Sequence, residues 1–170
     1  MTDKNPNFVN VAVTGNAWMR NGVGSIRNLM ETAFSNANNE ILIAIYAIST
    51  NEEFLKMLKD TLVRGIRICM IVNKFETQHA IAKKEIMRIS NLYENFILFD
   101  FIPDNDFEDL HAKIIVIDHK YALVGSANLS TNGLFRNYEL MVGISGVAAN
   151  QIAAQIDTLL KSKNVKRVKL

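Results

Sequence analysis

The run Ile41–Ile48, ILIAIYAI, constrains this chain more than any other stretch. It is apolar on consecutive positions, so a strand made from it has no wet face. It is also far too short to span a bilayer. Such a strand sits inside a sheet covered on both sides, the habit of parallel α/β architecture. A second run of the same kind, IRICMIVN (66–73), lies one helix-length downstream, and NFILFDFI (95–102) lies one further on.

Between these runs the apolar spacing changes to that of helices. Val23 to Asn38 places Ile26, Leu29, Met30, Ala33, Phe34 and Ala37 on one face. Asn51 to Arg64 opens on an Asn cap with Glu52 and Glu53 in the first turn and closes at Gly65. Thr77 to Leu92 is the third helix, and Val147 to Lys161 the last. FVNVAVTG begins the chain's strands; HAKIIVID, YALVG and YELMVGI follow the acidic loop PDNDFED as a meander. The expected fold is one α/β domain over 1–170, a mixed β-sheet flanked by helices on both faces.

At 170 residues the chain can bury a core without staples. Its one cysteine, Cys69, lies in an apolar run and reads as an inert core thiol. The opening MTDKNPNFVN lacks the basic-then-apolar plan of a secretion leader, so a cytoplasmic protein with no membrane attachment is expected. Net charge is only +2, yet Lys161, Lys163, Lys166, Arg167 and Lys169 crowd the end. Residues 162–170 read as a frayed, solvated tail, or as an electrostatic handle for a polyanion.

The chemistry concentrates in LHAKIIVIDHKYALVGSANLS (110–130). His111 and Lys113 are two apart, hence on one face of a strand, with Cα atoms roughly 6.6 Å apart. A two-residue turn at His119-Lys120 would set Asp118 opposite Tyr121, Lys113 opposite Ser126 and His111 opposite Asn128. Opposed residues share a face, so four polar side chains would converge; a slip of one residue would scatter them. An imidazole is a nucleophile or base at neutral pH, and a lysine is a point charge for phosphate. Ser and Asn donate to anionic oxygens, and Gly125 admits close backbone approach. No carboxylate cluster accompanies them, so the patch suits a metal-independent phosphate-ester site with no cofactor. Asp118 is more than about 20 Å along the strand from His111 and reads as structural.

The pattern His111-x-Lys113, Asp118, Gly125-Ser126-x-Asn128 resembles the HKD motif of the phospholipase D superfamily, and the chain resembles its small one-motif bacterial nucleases. That resemblance implies a phosphodiesterase in which His111 forms a covalent phosphohistidine. Lys113, Asn128 and Ser126 would hold the non-bridging oxygens, and Glu139, in the segment SANLSTNGLFRNYEL, would accept a hydrogen bond from His111. It implies an α-β-α sandwich and a homodimer whose two-fold axis joins two copies of His111, one as nucleophile and one as acid and base. The other histidines do not serve: His119 lies at the far end of the strand, and His79 opens a helix without a matching Lys or Asn.

Three classes of function remain open from sequence. A nuclease acting on DNA or RNA leads, with Trp18, Arg20, Lys74, Phe135 and Arg136 as cleft candidates. Trp18 and Phe135 offer faces for base stacking, against ordinary rim packing. A lipid phosphodiesterase or phosphatidyl transferase is second, without an apolar insertion to support it. A nucleic-acid-binding component of a restriction or defence complex, beside a partner such as a helicase, is third and rests on analogy.

Overall fold

The computed structural model describes residues 8–19 and 22–169. Among these residues nine strands form one sheet: β1 (Val9–Thr14), β2 (Gly24–Ser25), β3 (Glu40–Ile45), β4 (Arg67–Asn73), β5 (Phe96–Phe101), β6 (Lys113–Ile117), β7 (Tyr121–Gly125), β8 (Glu139–Ser145) and β9 (Val165–Arg167). Their order across the sheet is β2-β1-β8-β7-β6-β3-β4-β5-β9. β3, β4 and β5 pair in parallel, as helical crossovers require. β6, β7 and β8 pair antiparallel, and β6 joins the parallel half by running antiparallel to β3.

The apolar runs are explained by what covers them. Ile41, Ile43 and Ile45 pack with helices α1 (Ile26–Ser35), α2 (Glu52–Val63) and α3 (Ala80–Leu92), while Leu42 and Ala44 pack on the other side. That other face carries α4 (Val147–Leu160), whose Ala149, Ala153 and Ile156 lie over Val116 and Ala122. The mixed sheet with helices on both faces is as the sequence predicts. Cys69 belongs to the α4-side core, and burial pushes its thiol pKa up, as befits an inert thiol.

Local signals hold where they are self-contained. The Asn51 side chain caps α2 by accepting from Phe54 N at 2.9 Å. The start of α1 falls three residues later than the apolar spacing suggests, because Ser25 supplies the cap through Asn28 N. Before α3, Lys74 takes a left-handed backbone (φ 42°) and a short 3₁₀ turn, Phe75–Thr77, precedes the helix proper.

The tail is a correction. Its described residues, 162–169, are not frayed: β9 pairs antiparallel with β5, setting Arg167 opposite Phe99 and Lys166 opposite Asp100. Asn164 exchanges two hydrogen bonds with Ile102, and Lys163 pairs with Asp104 at 3.0 Å. The open edge of β5 supplies partners that no local pattern announces.

Candidate active site

His111 lies just before β6, exposed, and Lys113 is its first residue, only 6% exposed. The β3–β6 ladder sets Lys113 beside Ile45, and Tyr46 N continues it by donating to Ala112 O at 3.1 Å. Tyr46 therefore turns its ring onto His111, with centroids 4.5 Å apart. The Lys113 ammonium sits 5.1 Å from the Tyr46 centroid. It donates to His111 O at 2.9 Å and lies 3.1 and 3.2 Å from the two ring nitrogens. Burial lowers the pKa of Lys113, partly countered by the negative charge of Glu139.

The hairpin register differs from the sequence expectation by one residue. Ile117 stands opposite Tyr121 and Ile114 opposite Val124, so the loop holds three residues, Asp118, His119 and Lys120. Asp118 and His119 are both left-handed (φ 51° and 56°). The cause is tertiary. The Asp118 carboxylate accepts from the backbone N–H groups of Asn38, Asn39 and Glu40 at 2.8–2.9 Å, which draws it out of the ladder toward the start of β3. Asp118 is thus a structural anchor, at the end of β6 remote from His111.

With this register Ser126 and Asn128 do not oppose Lys113 and His111. They are placed by other neighbours. Ser126 N donates to Leu140 O at 3.0 Å, and its hydroxyl donates to Glu139 Oε2 at 2.5 Å. Asn128 Oδ1 accepts from Ala47 N at 3.3 Å, which leaves its Nδ2 as the donating end. Gly125 closes β7 with Leu140 O where a side chain would stand; its missing Cβ serves strand-to-strand approach, not approach of a ligand. The expected Glu139–His111 hydrogen bond is absent. Ser126 and Asn137 (Nδ2 to Oε1, 3.0 Å) take up the Glu139 carboxylate instead.

The cleft candidates divide. Lys74 pairs with Asp109 at 3.0 Å, two residues before His111. Asp109 also accepts from Asn73 Nδ2 at 2.9 Å, and these two hydrogen bonds hold its pKa low. Trp18 packs edge-to-face on Tyr138, which adjoins Glu139. Phe135 and Arg136 are exposed on a single π turn, Asn132–Arg136, in the connection between β7 and β8. Arg20 lies outside the described residues.

Tyr46, Asp109 and Tyr138 escaped the sequence reading. Tyr46 carried a signal: it is the one residue with a polar tip in ILIAIYAI, at the end of a strand antiparallel to β6.

Chemically the ensemble joins an exposed imidazole, a buried ammonium, a serine–glutamate pair and an amide donor. Among the described residues no three His, Cys, Asp or Glu side chains gather as a metal site requires. No described helix is long and apolar enough to cross a membrane.

Residues 30–162 match the family model described as "Cardiolipin synthase, PLD-like domain". The chain is 29% identical over 130 residues to the DISARM protein DrmC of Bacillus paralicheniformis, covering 75% of this chain and 51% of that protein. It is 24% identical over 128 residues to cardiolipin synthase A of Buchnera aphidicola, covering 72% of this chain and 26% of the synthase. It thus spans about half of the one relative and about a quarter of the other. Among solved structures, the phospholipase D family member Nuc from Salmonella typhimurium superposes with a TM-score of 0.77 at 19% identity, over 97% of this chain and 100% of Nuc. The chain belongs to the PLD-like domain family, within the phospholipase D superfamily of phosphodiester hydrolases and transferases.

Proposed function

We propose that this protein is a nuclease that cleaves nucleic-acid phosphodiesters without a metal, through a phosphohistidine at a site shared by two copies of the chain. The observation that carries the reading is the Tyr46–His111–Lys113 cluster, which sets a nucleophilic ring and a fixed cation against one another at an open strand end.

A ring nitrogen of His111 attacks phosphorus, forming the P–N bond as the P–O bond to the leaving group breaks. The leaving oxygen takes its proton from His111 of the partner subunit. Water then attacks phosphorus, the P–N bond breaks, and the same partner imidazole accepts the water's proton. Lys113 and Asn128 Nδ2 bear the charge on the non-bridging oxygens, and the Ser126 hydroxyl joins them by turning its one proton from Glu139 to phosphate. Binding requires Lys113 to exchange part of its contact with the His111 ring for phosphate. Glu139, held by Ser126 and Asn137, offsets the charge of Lys113.

Support for a dimer comes from the α4 face. Val9, Val11, Leu140, Val142 and Ile144 form one apolar row there on β1 and β8, beside the strand end that carries Glu139. Among the described residues Val9, Val11 and Leu140 stay 40–56% exposed, an apolar surface suited to a two-fold contact. Exposed Arg136 and the two basic residues of β9, Lys166 and Arg167, suit a polyanion. The similarity to DrmC suits a role in a defence system, and DNA and RNA are both admitted as substrates.

A second reading, transfer or hydrolysis of lipid phosphodiesters, is favoured by the family model and by the similarity to cardiolipin synthase A. One experiment separates them: incubation with single- and double-stranded DNA, RNA and phosphatidylcholine vesicles, all in excess EDTA. The expected result is cleavage of nucleic acid that persists in EDTA and disappears in His111→Ala. Cleavage of lipid alone overturns the nuclease, and activity lost on chelation overturns the metal-free mechanism.

A further inference from the structure

Beside the phosphate patch the chain displays an aromatic pair that the chemistry above does not use. Trp18 and Tyr138 stand edge-to-face, ring centroids 5.7 Å apart and planes at 80°, and remain 46% and 56% exposed. The two rings leave a contiguous aromatic surface open to solvent, the kind of surface that meets a flat ligand.

The pair is held by one glycine. Thr14 pairs with Glu139 at the end of the β1–β8 ladder, so Gly15 follows directly beside Tyr138. Gly15 has φ 111°, and a Cβ there would stand 2.8 Å from Tyr138 Cδ1; the ring lies where a side chain would otherwise be. The carbonyl of the same glycine accepts from Trp18 N at 3.0 Å and Met19 N at 3.2 Å, folding the turn that presents the indole. Gly15 thus seats one ring and holds the turn of the other.

The next residue after Tyr138 is Glu139, hydrogen-bonded to Ser126 in the phosphate patch. The aromatic pair therefore lies at the same end of β8 as that patch, within a nucleotide's length of a phosphodiester bound there. We propose that Trp18 and Tyr138 form a stacking subsite for an unpaired nucleobase, so that the enzyme's substrate is a single strand or an unpaired segment. In a duplex each base face is covered by its neighbours, and only an unpaired base offers a π face to an aromatic ring. This inference rests on the nuclease reading and specifies its substrate.

The single tryptophan makes the test direct, because emission under tryptophan-selective excitation reports Trp18 apart from the four tyrosines. A His111→Ala protein, which binds without turnover, is titrated with an oligothymidylate of about 12 nucleotides, with an abasic deoxyribose-phosphate oligomer of equal length and charge, and with a duplex. The expected result is quenching by the oligothymidylate only, with about tenfold or more tighter binding than the abasic oligomer. Adding Tyr138→Ala is expected to weaken oligothymidylate binding about tenfold and leave abasic binding unchanged, while Tyr138→Phe restores it. Tyr138 is exposed, and circular dichroism confirms that each variant folds. Equal affinity for both oligomers, unquenched emission, or quenching by the duplex overturns the stacking subsite. Wild-type protein that still cuts nucleic acid in EDTA would then leave the nuclease standing; protein that binds no nucleic acid and cuts lipid alone overturns both.

Discussion

The ring of Tyr46 lies against the ring of His111 at 4.5 Å between centroids, although the two flank the ends of different strands, β3 and β6, and 65 positions of chain separate them. Tyr46 also carries the Lys113 ammonium at 5.1 Å, and its own carbonyl accepts from Gln78 Nε2 at 3.0 Å. It is a positioning residue: it fixes the angle at which the imidazole meets phosphorus. Tyr46→Ala is expected to lower kcat about 10²-fold with a smaller change in KM, since a shift of about 1 Å in an attacking group has that effect. Tyr46→Phe keeps the ring and is expected to stay close to wild type. Steady-state kinetics on an oligonucleotide substrate decide it.

Lys113 costs stability in return for function. Burial holds its pKa below the ordinary lysine value, so between those two values the unfolded chain binds more protons than the folded one. The cost is in force at neutral pH and is relieved as pH rises through that window. Lys113→Met is expected to raise stability by about 1 kcal/mol, or about 2–4 °C in Tm. It abolishes cleavage and flattens the rise in stability at alkaline pH. Thermal melts from pH 7 to 11 test all three.

Asp118 has the opposite balance. Burial raises its pKa, but the N–H groups of Glu40, Asn38 and Asn39 together outweigh that and leave it lowered. Its contribution is present above the ordinary carboxylate pKa and lost as pH falls through the depressed folded value. Asp118→Ala is expected to cost about 2–3 kcal/mol, from three orphaned donors and a left-handed backbone. Asp118→Asn should recover part, since Asn tolerates that conformation. Denaturant titration at pH 7 and pH 3 measures it, and kcat per folded molecule should stay near wild type.

His119 is next in the loop, 2.8 Å from Glu40 and 3.8 Å from Asp157, and away from the His111 end of β6. His119→Ala is expected to leave cleavage within about twofold and to change stability by about 0.5–1 kcal/mol. A large loss of kcat with normal folding would contradict the placement of the loop.

Gly125 tolerates no side chain. A Cβ there would stand 2.2 Å from Leu140 O and 2.7 Å from Met141 Cα, both backbone atoms that cannot yield. Gly125→Ala is expected to destabilise by more than about 3 kcal/mol, seen as low soluble yield and a lowered melting temperature, because it prises β7 from β8.

Much of the molecule was legible because its signals are local or periodic. Continuous apolar runs identified β3 and β4 as central strands, Asn51 announced the cap of α2, and the spacing of His111 and Lys113 placed them side by side. What was not legible depends on partners far away in sequence. The hairpin register rests on Asp118 reaching three backbone groups near Asn38, which no turn preference encodes. The Ser126–Glu139 pair arises from β7 meeting β8, and Tyr46 meets His111 only because β3 and β6 are neighbours.

The strands at the two margins of the sheet are two and three residues long: β2 at one, β9 at the other. Half-buried Phe99 and Phe101 of β5 would otherwise present an open ladder to any passing chain. By lying along it with Lys166 and Arg167, β9 leaves a margin too short and too positively charged to recruit further strands. The basic residues that look like a handle for nucleic acid also guard the protein against lateral aggregation.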